Sequence, residues 1–340
     1  MNSLLPELPD KEKKKFLKLW TSFVRDNPQL RCQFPMEGGC KKKVINSHSI
    51  QKSGPLKLLA DDTNHVIMMK LSLNDKLIPV AQPKLVGINM ATIFNGLCDK
   101  HDNELFSSIE KKSFDPHIKY YLFLLCYRAI LRDHYAKLIS SIRVRKIIQQ
   151  RLREPELSAF SRASMSMAFD AYKEGRGDIT NAKKEFDNAY LKNTWNTTFK
   201  LWLRVIDYPA TIAVASCFTP DFDFDGSRIN TFKFGAFPNF LSVIVYPLEK
   251  QTLIGTCVSA YQYQHLKSIY TKLESANEHE LQLLISELAL RYCENIVISP
   301  KNWGKIEPSN RRVITRYFNE SILDPEMPFP GSSANLFSER

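Results

Sequence analysis

The chain has 340 residues, 44% hydrophobic and 24% charged, which is an ordinary globular mixture able to bury a core in two or three domains. Its formal net charge of +11 directs attention to polyanions or acidic partners. The longest apolar run, Tyr120 to Cys126, is too short to cross a bilayer, and the opening residues turn polar by residue 7, so no membrane span and no secretory leader is expected and the protein is placed in the cytoplasm.

In chain order, Asp10 can cap a helix over about residues 11–25. There Phe16, Leu17, Trp20 and Phe23 recur at three- and four-residue spacing, and the helix would pack as a lid on the cysteine-bearing segment after it. Cys32 and Cys40 come next, joined by a loop containing Gly38 and Gly39. A short helix is expected over 55–61, then strands near residues 65–71 and 76–82 joined by an Asn-Asp turn. Cys98 and His101 come after these strands, with Cys-x-x-His spacing at a helix N-terminus, which favours a thiolate. Four other cysteines, 126, 217, 257 and 293, sit in apolar surroundings and read as small core residues in a reducing compartment. A tetrahedral metal site needs ligands from two chain segments, because one short loop cannot close it. Cys32 and Cys40 are therefore expected to supply one pair and Cys98 and His101 the other, around a structural Zn²⁺.

After Asp115-Pro116, residues 117–153 contain neither Gly nor Pro and predict one long helix or a nearly continuous pair. Its second half carries an apolar stripe of Val144, Ile147, Ile148 and Leu152 beside Arg143, Arg145, Lys146 and Arg151, with Arg153 at the end. From Lys111 to Arg153, eleven Lys and Arg stand against only Asp115 and Asp133. Such a surface either contacts nucleic acid, DNA or RNA, through counterion release, or is simply a solvated helix face. A second helix over 157–190, weakened at Glu-Gly-Arg-Gly-Asp, and a third over 194–206 would complete an antiparallel helical layer.

The period then changes: β-rich runs are expected at 210–219, 229–237, 239–248 and 251–260, with a hairpin turn at 246–252. Asp221, Asp223 and Asp225 alternate as in a cation loop but read better as a turn, and Trp303 reads as core packing. Helices are expected over 261–275, 278–293 and 308–319. The chain is thus of the α+β class, with a zinc module over 1–112, a basic helical layer over 113–206, an α+β domain with an antiparallel sheet over 207–322, and a loose tail over 323–340.

The cysteine pairs together with Asn46-Ser47-His48 and the stretch Asn95 to Asn103 resemble a treble clef, in particular the zinc-stabilised modules of HNH endonucleases, over about residues 30–105. The resemblance implies a general base at His48, a catalytic Mg²⁺ or Mn²⁺ on Asp102 with Asn103 beside it, and a middle asparagine at Asn89 or Asn95. The pattern departs at Ser47, where such sites commonly carry a cation-holding Asp, Glu or His, and at Asp102, which stands in place of a His. The wider string from Cys32 to Glu110 also resembles a group of bacterial proteins of similar length, whose look implies a defence or toxin component. Three functions are compatible with these residues: a zinc protein that contacts nucleic acid through its basic helices, an HNH-like metal-dependent endonuclease, or a subunit whose protein partner supplies the chemistry. No Gly-rich phosphate loop, dinucleotide fingerprint or serine-nucleophile elbow is present.

Overall fold

The computed structural model describes residues 14, 17–22, 28, 30–74, 78–110, 114–153, 159–209, 211–231, 235–322, 324 and 326–337. Most of the helix expected over 11–25, and its packing as a lid, lies outside these residues; 17–22 are helical.

The architecture is α+β, and its centre is an antiparallel sheet. Strands β1 (Ser47–His48), β2 (His65–Leu73), β3 (Pro79–Gly87) and β4 (Ile93–Phe94) come from the first third of the chain. Strands β5 (Phe199–Ile206), β6 (Ile212–Phe218), β7 (Leu241–Pro247), β8 (Thr252–Ser259) and β9 (Ile296–Ile298) come from the last. Seven of them form one sheet in the order β3-β2-β9-β6-β7-β8-β5, and β1 pairs with β4 separately. Every residue of β6, β7 and β8 is buried. Near-continuous apolar strands of this kind need cover on both faces, and helices provide it.

Helix α1 (Asp99–Phe106) follows β4, and α2 (Lys119–Arg151) and α3 (Ala159–Leu191) form a long antiparallel hairpin. On α2 every residue from Leu122 to Leu131 is buried, because the sheet lies on one side of it and α1 and α3 lie on others. A helix apolar all round is one enclosed all round. Gly255 of β8 makes the approach possible: a Cβ there would stand 2.4 Å from Leu122 Cδ1. The opposite face is covered by α4 (Tyr263–Ser275), α5 (Glu278–Tyr292), α6 (Pro300–Lys305) and α7 (Pro308–Glu320). Trp303 is buried in that layer, and the four apolar cysteines are buried in the two cores.

Several expectations need correction. Residues 199–206 form edge strand β5, not a helix; only Trp195–Thr198 makes a helical turn, because Leu201, Leu203 and Val205 alternate onto the apolar face under α2. The Glu-Gly-Arg-Gly-Asp segment stays helical within α3, held by its long antiparallel contact with α2. No strand forms in 229–231 or 235–237, where Asn230 instead ties the loop to Pro220 and Asn239 carbonyls at 2.8 and 3.0 Å; residues 232–234 lie outside the described residues. The tail is docked, not loose, between Met327 and Phe337. Leu336 is fully buried, its carbonyl accepts from Thr211 Oγ1 and Asn302 Nδ2, both at 3.2 Å, and its N–H donates to Ser286 Oγ at 3.0 Å. Burying Leu336 and Phe337 contributes about 1.5–3 kcal/mol each, which Pro/Ser-rich composition conceals.

The sheet also crosses the expected domain boundaries. Ile67 and Met68 of β2 pair with Ile298 and Val297 of β9, so the 65–87 hairpin and the C-terminal strands share one hydrogen-bonded surface.

Since the Gly255 contact is steric, Gly255→Ala is expected to destabilise the fold by about 1–3 kcal/mol through overpacking against Leu122, measured as a lower urea midpoint at unchanged slope.

Candidate metal centre

Four side chains meet in a buried cluster: Cys32, Cys40, Cys98 and His101, whose ligand atoms all lie within 4.8 Å of one another. Cys32 and Cys40 are cross-strand partners in an isolated antiparallel bridge. The chain reverses between them at Gly38 and Gly39, with φ of +71° and +69°, values that a residue with a side chain adopts poorly. The seven intervening residues are therefore a small hairpin, not a tight knuckle, and the wide spacing still delivers both sulfurs to one point. Cys98 is the N-cap residue of α1, and His101 lies on its first turn.

The two halves are sewn together by backbone bonds. Gln33 N donates to Gly96 O at 2.7 Å and Ile45 N to Leu97 O at 2.8 Å. Lys42 N points at Cys40 Sγ at 3.4 Å, and Cys98 N at Cys32 Sγ at 3.3 Å. Cys40 Sγ and Cys98 Sγ are 3.9 Å apart, and His101 Nδ1 is 3.4 Å from the sulfurs of both Cys32 and Cys98. A tetrahedron with metal–sulfur bonds of about 2.3 Å and a metal–nitrogen bond of about 2.0 Å has S–S edges of about 3.8 Å and S–N edges of about 3.5 Å. A disulfide would need roughly 2.05 Å. The spacings thus fit a shared ion, and the donor set of three sulfurs and one imidazole fits a borderline-soft ion.

The surroundings support ligation chemically. Burial pulls His101 below its ordinary value and keeps the imidazole in the neutral, ligating form. Burial pushes the Cys32 thiol up to about 11, while the Lys42 amide pulls Cys40 down. Metal uptake at neutral pH must therefore expel protons. Phe34 stacks on the His101 ring, with centroids 4.0 Å apart and planes within 10°, and Tyr190 packs edge-on against Phe34. The sequence does not single out Phe34, since an aromatic two positions after a cysteine carries no distinctive signal.

Beside this centre lies a second polar group. Strands β1 and β4 pair through Ser47↔Phe94 and His48↔Ile93, and α1 then carries Asp102. His48 Nε2 donates to Ile88 O at 3.1 Å, and burial holds its pKa below the ordinary value. Burial pushes Asp102 upward against the pull of Arg128 and the Ser47 hydroxyl, and Asp102 Oδ1 has no hydrogen-bond partner among the described residues. Asn103 Nδ2 donates back to Asp99 O at 3.0 Å, and Asn95 bonds to Ile45 O and Asn46 Oδ1; Asn89 is exposed. Arg128, which the sequence offers only as one cation of a basic run, is 2% exposed, lies 4.1 Å over the Phe106 ring and pairs with Glu110 at 2.6 Å. Its guanidinium cannot lose its charge, so Asp102 already has a cation facing it.

The basic stretch divides into two parts. Arg128 and Arg132 belong to the interior, the latter paired with Asp133 and Glu294, while Lys111 and Lys112 lie outside the described residues. The far end of α2 carries Arg143, Arg145, Lys146 and Arg151, followed by Arg153, with Arg145, Lys146 and Arg153 exposed and Arg143 and Arg151 half-buried. Among the described residues no helix is long and apolar enough to cross a membrane. No family model, curated protein or solved structure matches the chain.

His134 joins the metal module to the helical hairpin: Nδ1 is 2.6 Å from Gln33 Oε1, next to Cys32, and Nε2 is 3.1 Å from Thr180 Oγ1 of α3. Burial, aided by Lys183, pulls its pKa from 6.5 to about 4. Above pH 6.5 both folded and unfolded forms are neutral. As pH falls below it the unfolded chain takes up the proton first, so stability is lost until the folded pKa is reached. A loss on the order of 2 kcal/mol between pH 7 and pH 5 is expected from this group, and His134→Gln should remove it in urea titrations at the two pH values.

Proposed function

We propose that the chain is a zinc protein whose metal centre stabilises the N-terminal module, and that the exposed C-terminal end of α2 contacts nucleic acid. The observation that carries the first part is the closed Cys32, Cys40, Cys98 and His101 cluster, with a donor set suited to a structural zinc because no fifth side chain or open position is needed. Purified protein is expected to hold close to one zinc per chain. Elemental analysis of the wild type and of a Cys32→Ser, Cys98→Ser double variant checks this; less than about half an equivalent in the first, or full retention in the second, would sink the reading.

The second part is supported by charge. Between His134 and Arg153 the chain holds six Lys and Arg and no Asp or Glu, on a helix end away from the metal. Binding to DNA or RNA should weaken steeply with salt, and replacing Arg145, Lys146 and Arg153 by Gln should lower the log–log slope by about 3. Absence of binding at low salt would shift the reading to a protein partner.

A nuclease is the second reading, favoured by the β1-β4-α1 order that brings His48 near Asp102. Against it stand Ser47, the bond from His48 to Ile88, and the fixed charge of Arg128. In the same binding assays nucleic acid is expected to stay intact with Mg²⁺ or Mn²⁺. Cleavage that disappears in His48→Ala while zinc is retained would put the nuclease reading in its place.

A further inference from the structure

The large sheet ends at β3, and this edge is closed to a further strand. Asn319 of α7 uses both ends of its carboxamide on Ala81, accepting from its N–H at 2.7 Å and donating to its carbonyl at 2.9 Å. Backbone groups alternate sides along a strand, so Pro79 and Pro83 share the free side with Ala81, and neither has an N–H to offer. A ligand at this edge is therefore held by side chains and not by strand pairing.

Between β3 and α7 runs an open cleft of about 710 Å³, whose helical wall carries Arg311, Arg312 and Arg316 against Glu320 alone. At about 100° per residue, Pro308, Thr315 and Asn319 fall between Arg311 on one side and Arg312 on the other, so cations flank the stripe that faces the cleft. The side chains of Arg311 and Arg312 make no ion pair or hydrogen bond among the described residues, and Arg311 Nε is shut off from solvent without an acceptor. Arg316 reaches Glu320 only at 3.9 Å, with both side chains more than half exposed. A recessed guanidinium that lacks an acceptor loses hydration without compensation, and a carboxylate offers two oxygens that match its fork.

Beside the cations the surface is aliphatic. Side chains alternate faces along a strand, so Leu71, Pro83 and Leu85 share the face of Ala81, and Leu71 and Leu85 are 52% and 62% exposed. Trp303, the only aromatic residue among those lining the cleft, is buried, so no ring is open to stack a nucleic-acid base. A second copy of this chain, itself at +11, brings the wrong charge.

We propose that this cleft docks an acidic, amphipathic segment of a protein partner, its carboxylates on Arg311, Arg312 and Arg316 and its apolar side chains on Leu71, Pro83 and Leu85. The inference rests on neither the zinc nor the nucleic-acid reading.

The test is fluorescence anisotropy with a labelled peptide of the repeat Glu-Leu-Leu-Glu, about twelve residues or three helical turns long, in about 150 mM NaCl. Saturable binding of one peptide per chain is expected. An Arg311→Gln, Arg312→Gln, Arg316→Gln variant should weaken it by about tenfold or more, the loss expected for charge-assisted bonds, and Leu85→Ser should weaken it severalfold, with circular dichroism and metal content unchanged. Replacing Arg145, Lys146 and Arg153 by Gln, at the end of α2, should leave it unchanged. If the triple variant does not fold, Arg312→Glu, at an exposed position, should weaken binding severalfold instead. No saturable binding, equal affinity in the folded cleft variants, loss of binding in the α2 variant, or full displacement by a single-stranded oligonucleotide of equal charge would overturn the proposal.

Discussion

Leu122 sits so close to Gly255 that no side chain fits between them, and much of the molecule is arranged around that contact. It lays α2 on the sheet, and α2 contacts the sheet, α1 and α3 together. Because α2 is enclosed from Leu122 to Leu131, its apolar half is anchored, and its basic half projects where its cations remain near solvent. One helix therefore serves as core and as charged surface, and burial separates the two roles along its length.

The cysteine–histidine cluster is joined to this core by polar contacts as well as apolar ones. Arg128 stacks on Phe106 of α1 and pairs with Glu110 just after it, with Asp102 within electrostatic reach. A guanidinium almost wholly removed from water needs such partners, since leaving it unpaired would cost several kcal/mol. His134 provides a second tie, between Gln33 and Thr180. In these low-dielectric surroundings Arg128 and His134 each have partners, and contacts of this kind are stronger there than in water.

The charge distribution sorts by location. Cations gather at the exposed end of α2, whereas acids gather where β6 and β9 part. The positive helix end and the acidic recess are two distinct electrostatic environments, and ionic strength screens the exposed one more strongly than the recessed one.

Local pattern made several things readable from the residues alone. The gathering of Cys32, Cys40, Cys98 and His101 was legible because cysteines among Gly, Lys and His differ chemically from cysteines among Leu and Phe. The strands β2, β3, β6, β7 and β8 and the helices α2, α4, α5 and α7 were legible from period and breakers. Tertiary contacts decided the rest. Residues 199–206 carry helical neighbours and weak alternation, and became a strand because a sheet edge and the underside of α2 were there to receive Leu201, Leu203 and Val205. Residues 65–87 looked like a long insertion in a small metal fold, yet they leave that fold to pair with β9, more than two hundred residues away in sequence. Leu336 and Phe337 looked like a tail because two apolar residues carry no period, and only a groove lined by Thr211, Ser286 and Asn302 gives them a place. The acidic cavity had no signature at all: Asp133, Asp178, Asp221 and Glu294 are scattered singly along the chain, and only the folded arrangement of two helices and a parting sheet brings them together.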